Sequence, residues 1–454
     1  MRNTLDVPDL ERQPPVADSG TNRRPAILMS ALLWDSLSYF GSKVVPGFMG
    51  LLSVPVFIRM IGLDEYGRFA VIVPLLMAVA GASSGWLAQG VLRFHPLTTD
   101  SRTRQVAFDR AVTRGTIASV LVTSAVLAAV LAGLHYPLRT SLISVAFCFA
   151  LLIYTVTLSK FQAKLQPGSV LRREVVRSIG GFVFPIVLIA VTGRKQFEFL
   201  LLGQAVAYTI ALLPNRRSPA STNDNAADAV LPSDASTGAV IRTLWRFGWA
   251  VALWLLLSQM LPVIDRWVIL RFTSYTSAGM YASLYEIVIR SFSFLIFPLT
   301  QAAHPRIMRS WNEGQFAASY RTIRHSILTQ FVIFIAVLGG VSVFAHRISK
   351  AILGFDDPVA ARMLPVLLVG GFLWQVALLL HKPLEIAQKT GVMLATMAAV
   401  VLVNAVACFL FIPRFGYQAA CYIVAFSAFS YSAVTLCMTR FRALRGISPE
   451  AETC

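Results

Sequence analysis

The sequence predicts an all-α integral membrane protein of about 12 transmembrane helices, arranged as two pseudo-symmetric six-helix bundles around a central cavity. Three observations predict it. Of the 454 residues, 56% are hydrophobic and 14% charged, against roughly a quarter charged in a soluble domain, and the mean hydropathy is +0.65. The apolar residues fall in runs of about 20, the length that crosses a bilayer as helix, and no alternating strands of barrel length occur. A hairpin near the start returns, weakened, in the second half of the chain.

Residues 1–35 read as a cytoplasmic tail. The segment 1–24 is polar and proline-containing, with no apolar core of the signal-peptide kind. The spans of the N-terminal bundle, 36–213, are expected at 36–60, 69–92, 115–134, 140–159, 175–192 and 197–213. The first carries Lys43, Pro46 and Pro55. Proline removes a backbone donor, so Pro46 predicts a broken, cavity-lining helix. A polar turn, Gly62 to Gly67, joins it to the second. Residues 214–246 are rich in Ser, Ala, Asn, Asp and Pro; such composition buries too little surface to fold alone and reads as a cytoplasmic linker. The C-terminal bundle, 247–438, follows with spans at 247–270, 279–301, 326–345, 360–380, 391–412 and 417–438. Asp356-Asp357-Pro358 reads as a helix-start turn before the tenth span. A tail, 439–454, closes the chain.

The formal charge of +18 does not indicate nucleic acid, because the cations alternate with the spans. Of the 40 Lys and Arg, 26 fall in the tails and even-numbered loops. The positive-inside rule then places both termini in the cytoplasm. Cys148, Cys408, Cys421 and Cys437 lie within spans and Cys454 in the tail, with no CxxC, which argues against a disulfide framework or a metal site. No P-loop and no HExxH occurs. The odd-numbered loops are too short to carry a glycan-transferring catalytic domain. No catalytic residue, metal or cofactor is therefore assigned.

The repeat is read from three matches. Gly67-Arg68-Phe69-Ala70 and Gly279-Met280-Tyr281-Ala282 share the form Gly-x-aromatic-Ala. Arg59 and Arg271 are separated by the same stretch of sequence as Gly67 and Gly279, and His95-Pro96 pairs with His304-Pro305 at nearly that spacing. Six crossings return the chain to its starting side, so the repeats run parallel, and parallel repeats place a site at their interface.

Charges within spans carry the functional reading, since a lone one near the bilayer centre costs about 2.5–3.5 kcal/mol. The candidate cavity cations are Lys43, Arg59, Arg93, Arg266 and Arg290. Lys43 also fits snorkelling toward headgroups, and Arg59, Arg93 and Arg271 also fit anchoring at span ends. Asp265 and Glu286 are candidate ion-coupling carboxylates. Asp265 and Arg266 are adjacent and point apart on a helix, whereas Glu286 and Arg290, four apart, share a face and can pair. His381 and Glu385 are further intramembrane polar candidates. Cations outnumber anions, which implies an anionic ligand such as a phosphate or diphosphate. The eight tryptophans are accounted for by interfacial belts.

Val54-Pro55-Val56-Phe57-Ile58-Arg59-Met60-Ile61-Gly62, Asp64-Glu65-Tyr66-Gly67-Arg68-Phe69, Val91-Leu92-Arg93-Phe94-His95-Pro96 and Phe411-Ile412-Pro413-Arg414-Phe415-Gly416-Tyr417-Gln418-Ala419-Ala420 resemble the signatures of bacterial polysaccharide flippases. These are the Wzx-type lipid-linked oligosaccharide translocases of the MOP exporter superfamily. Ala419 stands where that family has a second glycine. The Asp265-Arg266 dyad and the Gly279 turn fit the family's second half. The resemblance implies a multi-pass protein of the bacterial inner membrane. It would flip a polyprenyl-diphosphate-linked oligosaccharide from the cytoplasmic to the external leaflet, alongside a polysaccharide polymerase and glycosyltransferases. The alternatives are an ion-coupled multidrug-type antiporter, which requires a net acidic cavity, and a membrane glycan polymerase or ligase, which requires a large external loop.

Overall fold

A computed structural model describes residues 25–95, 102–214, 237–387 and 389–444. Most of the N-terminal tail, most of the linker, Pro96 and the end of the C-terminal tail lie outside the described residues. The first half comprises α1 (Pro25–Ile61), α2 (Leu63–Phe94), α3 (Arg102–Gly133), α4 (Leu138–Ala163), α5 (Pro167–Thr192) and α6 (Phe197–Leu212). The second comprises α7 (Thr237–Phe272), α8 (Tyr275–Leu295), α9 (Phe297–Asn312), α10 (Phe316–Leu353), α11 (Pro358–Leu380), α12 (Lys382–Ile386), α13 (Thr390–Phe415) and α14 (Ala419–Leu444). No strand occurs among the described residues. Among the described residues eleven helical segments are long and apolar enough to cross a membrane, and α6, 16 residues long, is a shorter apolar helix. Together they match the twelve expected runs, although most helices extend past the expected boundaries.

Two expectations need correction. Pro46 does not break the first helix: α1 runs unbroken through Pro46 and Pro55, since neighbouring helices in a membrane accommodate a missing donor. The turn after it is also shorter than Gly62 to Gly67. Gly62 alone, at φ 85°, reverses the chain, and α2 begins at Leu63. Asp64 and Glu65 then stand in the first turn, where carboxylates complement the helix dipole. Glu65 Oε2 also accepts from the backbone N–H of Phe197, 2.9 Å away, and caps α6. The Asp357 turn forms as expected, its Oδ1 accepting from Val359 N at 2.7 Å and Ala360 N at 3.3 Å to cap α11.

Two spans are interrupted. α8 gives way to α9 at Ile296, just before Pro298, and α11 gives way to α12 at His381, just before Pro383. In both, the proline sits at the start of the new helix, where its missing donor leaves no bond unmade.

The helix pairings repeat. In the first half α1 packs on α5, α5 on α6, α4 on α6, α2 on α4 and α3 on α4; in the second, α7 packs on α13, α13 on α14, α11 on α14, α8 on α11 and α10 on α11. Between the halves, α2 runs along α7 and α8, and α1 along α8. The echoed glycines meet there reciprocally. A methyl group on Gly67 would lie 1.9 Å from the Tyr275 carbonyl oxygen, and one on Gly279 would lie 2.6 Å from that of Leu63. Leu63 and Tyr275 occupy equivalent positions in the two halves, each four residues before its glycine, so residue and partner exchange roles as across a two-fold axis. Small residues also let α2 approach α7, where a methyl on Gly248 would meet the Trp86 carbonyl oxygen at 2.1 Å. Such backbone proximity is how helices associate where lipid removes the hydrophobic drive between them. The outer faces stay apolar and exposed, as at Leu121, Val332, Val343 and Leu402.

Candidate functional site

Between the halves lies a cavity of about 510 Å³, walled by α2, α7, α8, α11, α13 and α14, with Gln204 of α6. Its charged wall comprises Arg266, Glu286 and Arg290. Arg266 is 1% exposed; it donates from Nη1 to the Ala70 carbonyl oxygen at 2.8 Å and from Nη2 to Glu286 Oε1 at 2.7 Å. The Tyr285 ring lies 5.4 Å from its guanidinium carbon. Arg290 donates from Nε to the other Glu286 oxygen at 3.2 Å. Its Nη1 donates to the Gly50 carbonyl oxygen and, at 2.8 Å, to Ser53 Oγ, both on α1. Glycine at position 50 leaves room for this contact, because a methyl there would stand 2.9 Å from Arg290. Glu286 is thus clamped between two guanidiniums, and the trio carries a net positive charge.

The expected Glu286–Arg290 pair therefore forms, and Arg266 joins it from the neighbouring helix. Asp265 points elsewhere, as its adjacency to Arg266 requires. It is fully buried and accepts from Tyr281 Oη at 2.9 Å and Cys408 Sγ at 3.2 Å. Asn404, whose Oδ1 lies 3.8 Å from Cys408 Sγ and whose Nδ2 donates to Ser427 Oγ at 3.2 Å, connects this cluster to the cavity wall. Arg59 lines neither this cavity nor the smaller chamber beside it: Nη2 donates to the Ala351 carbonyl oxygen at 2.8 Å and ties α1 to the end of α10. Arg93 is exposed and lies over the Phe247 ring, 4.5 Å from its centroid. Lys43 is half-buried on α1 and also lines neither space. His381, 4% exposed, links by Nδ1 to Tyr431 Oη at 3.4 Å and by Nε2 to Glu385 at 3.5 Å.

The rest of the cavity wall mixes aliphatic side chains, such as Val73, Leu255, Ile289 and Leu367, with uncharged polar and aromatic ones. Gln204, Gln259, Gln375, Asn404, Ser258, Ser293 and Ser427 supply amides and hydroxyls, and Tyr66, Tyr285, Trp254 and Trp374 supply rings. Two of the tryptophans expected at interfaces thus line the cavity, and a third, Trp86, is 7% exposed. Tyr66, expected within the polar turn, is 2% exposed and lines the cavity from the first turn of α2. Trp254 is held by its Nε1–H, which donates to Tyr431 Oη at 3.2 Å. Amides isolated in apolar runs, such as Gln375 and Asn404, are a signal available from the sequence that charge-based reasoning passed over.

The smaller chamber, of about 160 Å³, adjoins the first between α1, α2, α5, α6 and α8, and shares Met77, Gln204 and Arg290 with it. Its other cation, Arg177 of α5, was not among the sequence candidates. The signal for it is Glu174-x-x-Arg177, an acid three residues before a base at the start of a span. The two form an ion pair at 2.7 Å.

No protein-family model and no curated protein matches the sequence. Solved structures match the fold. A MATE in complex with MaD3S superposes at a TM-score of 0.63 and 11% identity, covering 91% of this chain and 97% of that one. An inward-facing multidrug resistance MATE family transporter of the MOP superfamily does so at 0.61 and 10%, covering 92% and 96%. A MOP superfamily transporter from Pyrococcus furiosus Vc1, for which reverse polarity of the binding pocket suggests a different function, matches at 0.59 and 12%, covering 91% and 95%. The chain is a multi-pass, all-helical protein with the MATE-like fold of MOP-superfamily transporters, over nearly its whole length.

Proposed function

We propose that the protein is a transporter of the polysaccharide-flippase type, which carries a lipid-linked oligosaccharide across the inner membrane by alternating access and grips its diphosphate in the central cavity. The observation that carries this reading is the sign of the cavity wall. Among the described residues its one carboxylate, Glu286, is bonded to both Arg266 and Arg290, and Asp265 does not line the cavity. Arginine holds phosphoryl oxygens through paired N–H donors. The surrounding amides, hydroxyls and tryptophans are the groups that hydrogen-bond sugar hydroxyls and stack on pyranose faces. A volume of about 510 Å³ fits a headgroup, within the range of ligand pockets, while the prenyl chain remains in the bilayer.

The multidrug antiporter reading shares the fold but asks for a net acidic cavity. A pocket of reverse polarity has been described in the Pyrococcus furiosus transporter of this fold, so the fold alone does not fix the ligand's charge. Asp265 is the better of the two candidate coupling carboxylates, because both oxygens of Glu286 are already taken by guanidinium donors. The cytoplasmic placement of both termini, and the partnership with a polymerase and glycosyltransferases, belong to the same proposal. The test is transport of a fluorescent prenyl-diphosphate disaccharide in proteoliposomes. The wild-type chain should move it between leaflets, and Arg266→Gln and Arg290→Gln should each reduce the rate at least tenfold. Unaltered transport by both variants would remove the arginine clamp from the mechanism.

A further inference from the structure

We propose that the side chamber holding Arg177 is a second oxyanion subsite, which receives one phosphoryl group of a lipid diphosphate while Arg266 and Arg290 hold the other, so that Arg177 makes the protein prefer diphosphates to monophosphates. This rests on the reading of the central cavity as an anion site. It adds a residue and a selectivity which that reading does not contain.

Among the described residues the chamber wall carries two cations, Arg177 and Arg290, and no carboxylate. Glu174 pairs with Arg177 from outside that wall, and its Oε2 accepts from both Nε at 3.1 Å and Nη2 at 2.7 Å. Those bonds fix the plane of the guanidinium and do not use Nη1. The exposures agree: the Arg177 side chain is 24% exposed and that of Glu174 10%, so the cation faces the space and the anion stands behind it. The rings of Tyr154 and Tyr208 flank the guanidinium carbon at 5.9 and 5.6 Å and restrict its movement. Ser178 and Tyr208 add hydroxyl-bearing side chains to the wall.

Arg290 belongs to both spaces. Its Nε and Nη1 are engaged by Glu286, Gly50 and Ser53, and no described residue bonds its Nη2. One guanidinium at the junction of two cationic spaces matches an anion made of two linked phosphoryl groups. A chamber of about 160 Å³ admits one such group with a few waters, each of which occupies about 30 Å³ in the liquid.

The experiment uses the full chain in nanodiscs and measures affinity for farnesyl diphosphate and farnesyl monophosphate in the wild type, Arg177→Gln and Arg177→Lys. Removing one charge-assisted donor set should lower the diphosphate-to-monophosphate affinity ratio roughly tenfold in Arg177→Gln. Arg177→Lys, which keeps the charge and loses the fork, should fall between. Inorganic diphosphate and phosphate serve as additional probes. A lipid-borne ligand predicts weak binding of both, whereas tight binding of inorganic diphosphate would overturn the lipid assignment. An unchanged ratio in Arg177→Gln and Arg177→Lys overturns the subsite and leaves the central anion site standing. Failure of the wild type to bind either farnesyl phosphate overturns both.

Discussion

Replacing Glu286 with glutamine separates an anion-binding cavity from a cation-binding one. The substitution keeps the shape and removes one negative charge from between two arginines. Glu286 Oε1 stands 2.7 Å from Arg266 Nη2, and Oε2 stands 3.2 Å from Arg290 Nε. A phosphoryl oxygen on the far side of these guanidiniums would therefore lie about 5–6 Å from the carboxylate. At that separation and an effective dielectric of about 20, the repulsion removed is about 3 kcal/mol. The Glu286 side chain is 26% exposed, so screening cuts this to about 1.5 kcal/mol, or roughly tenfold in affinity. The same change leaves the Arg266 side chain, 2% exposed, without its counter-charge. Breaking a buried pair costs about 3–5 kcal/mol; the amide oxygen still accepts a hydrogen bond, so a loss near 2 kcal/mol in the unliganded protein is expected. Calorimetry with farnesyl diphosphate and thermal melts with and without it measure both. The expected result is tighter binding, a lower apo melting temperature and recovery of stability on adding ligand. Weaker binding with an unchanged melting temperature would refute the reasoning, and is what a cation carboxylate would give.

Gly67→Ala and Gly279→Ala should each destabilise the folded chain by about 3 kcal/mol or more, because the added methyl overlaps backbone of the facing half. Gly81→Ala meets nothing within 4 Å and should be neutral or slightly stabilising, so yield of monodisperse protein should distinguish the three. Trp254→Ala and Trp374→Ala should each weaken binding of a prenyl-diphosphate disaccharide about fivefold while changing farnesyl diphosphate affinity little, since stacking of this kind is worth about 0.5–1.5 kcal/mol; equal losses for both ligands would take the sugar-binding role away from these rings. Asp265→Asn should preserve ligand binding but abolish the response of transport to an imposed proton or sodium gradient, and a retained response to both would exclude Asp265 as the coupling group.

Much of the fold was legible because its signals are local or periodic. Apolar runs of spanning length located the eleven helices long enough to cross a membrane and the shorter α6, and the matching Gly-x-aromatic-Ala turns at Gly67 and Gly279 pointed to glycines that touch. The Glu286–Arg290 contact was legible for the same reason: both residues stand on one helix, four apart. The remainder of the site depends on approach between distant helices. Arg290 meets Gly50 and Ser53 from about 240 residues away, and Arg266 reaches the Ala70 carbonyl; neither has a periodic trace in the sequence. Arg59 and Arg177 show the same limit from opposite sides. Both are arginines near span ends, yet one ties α1 to α10 and the other faces a chamber. Sequence position did not separate them, because the outcome depends on which neighbour offers a carbonyl and which leaves a space.

The central claim is that the cavity between the halves selects an anion. Its most direct test is titration of the purified chain with farnesyl diphosphate and with the lipophilic cation ethidium, each at two salt concentrations. The account predicts saturable binding of farnesyl diphosphate that weakens with salt and is lost in Arg290→Gln, with no saturable binding of ethidium. Saturable ethidium binding that survives in Arg290→Gln, together with no binding of the diphosphate, would contradict it.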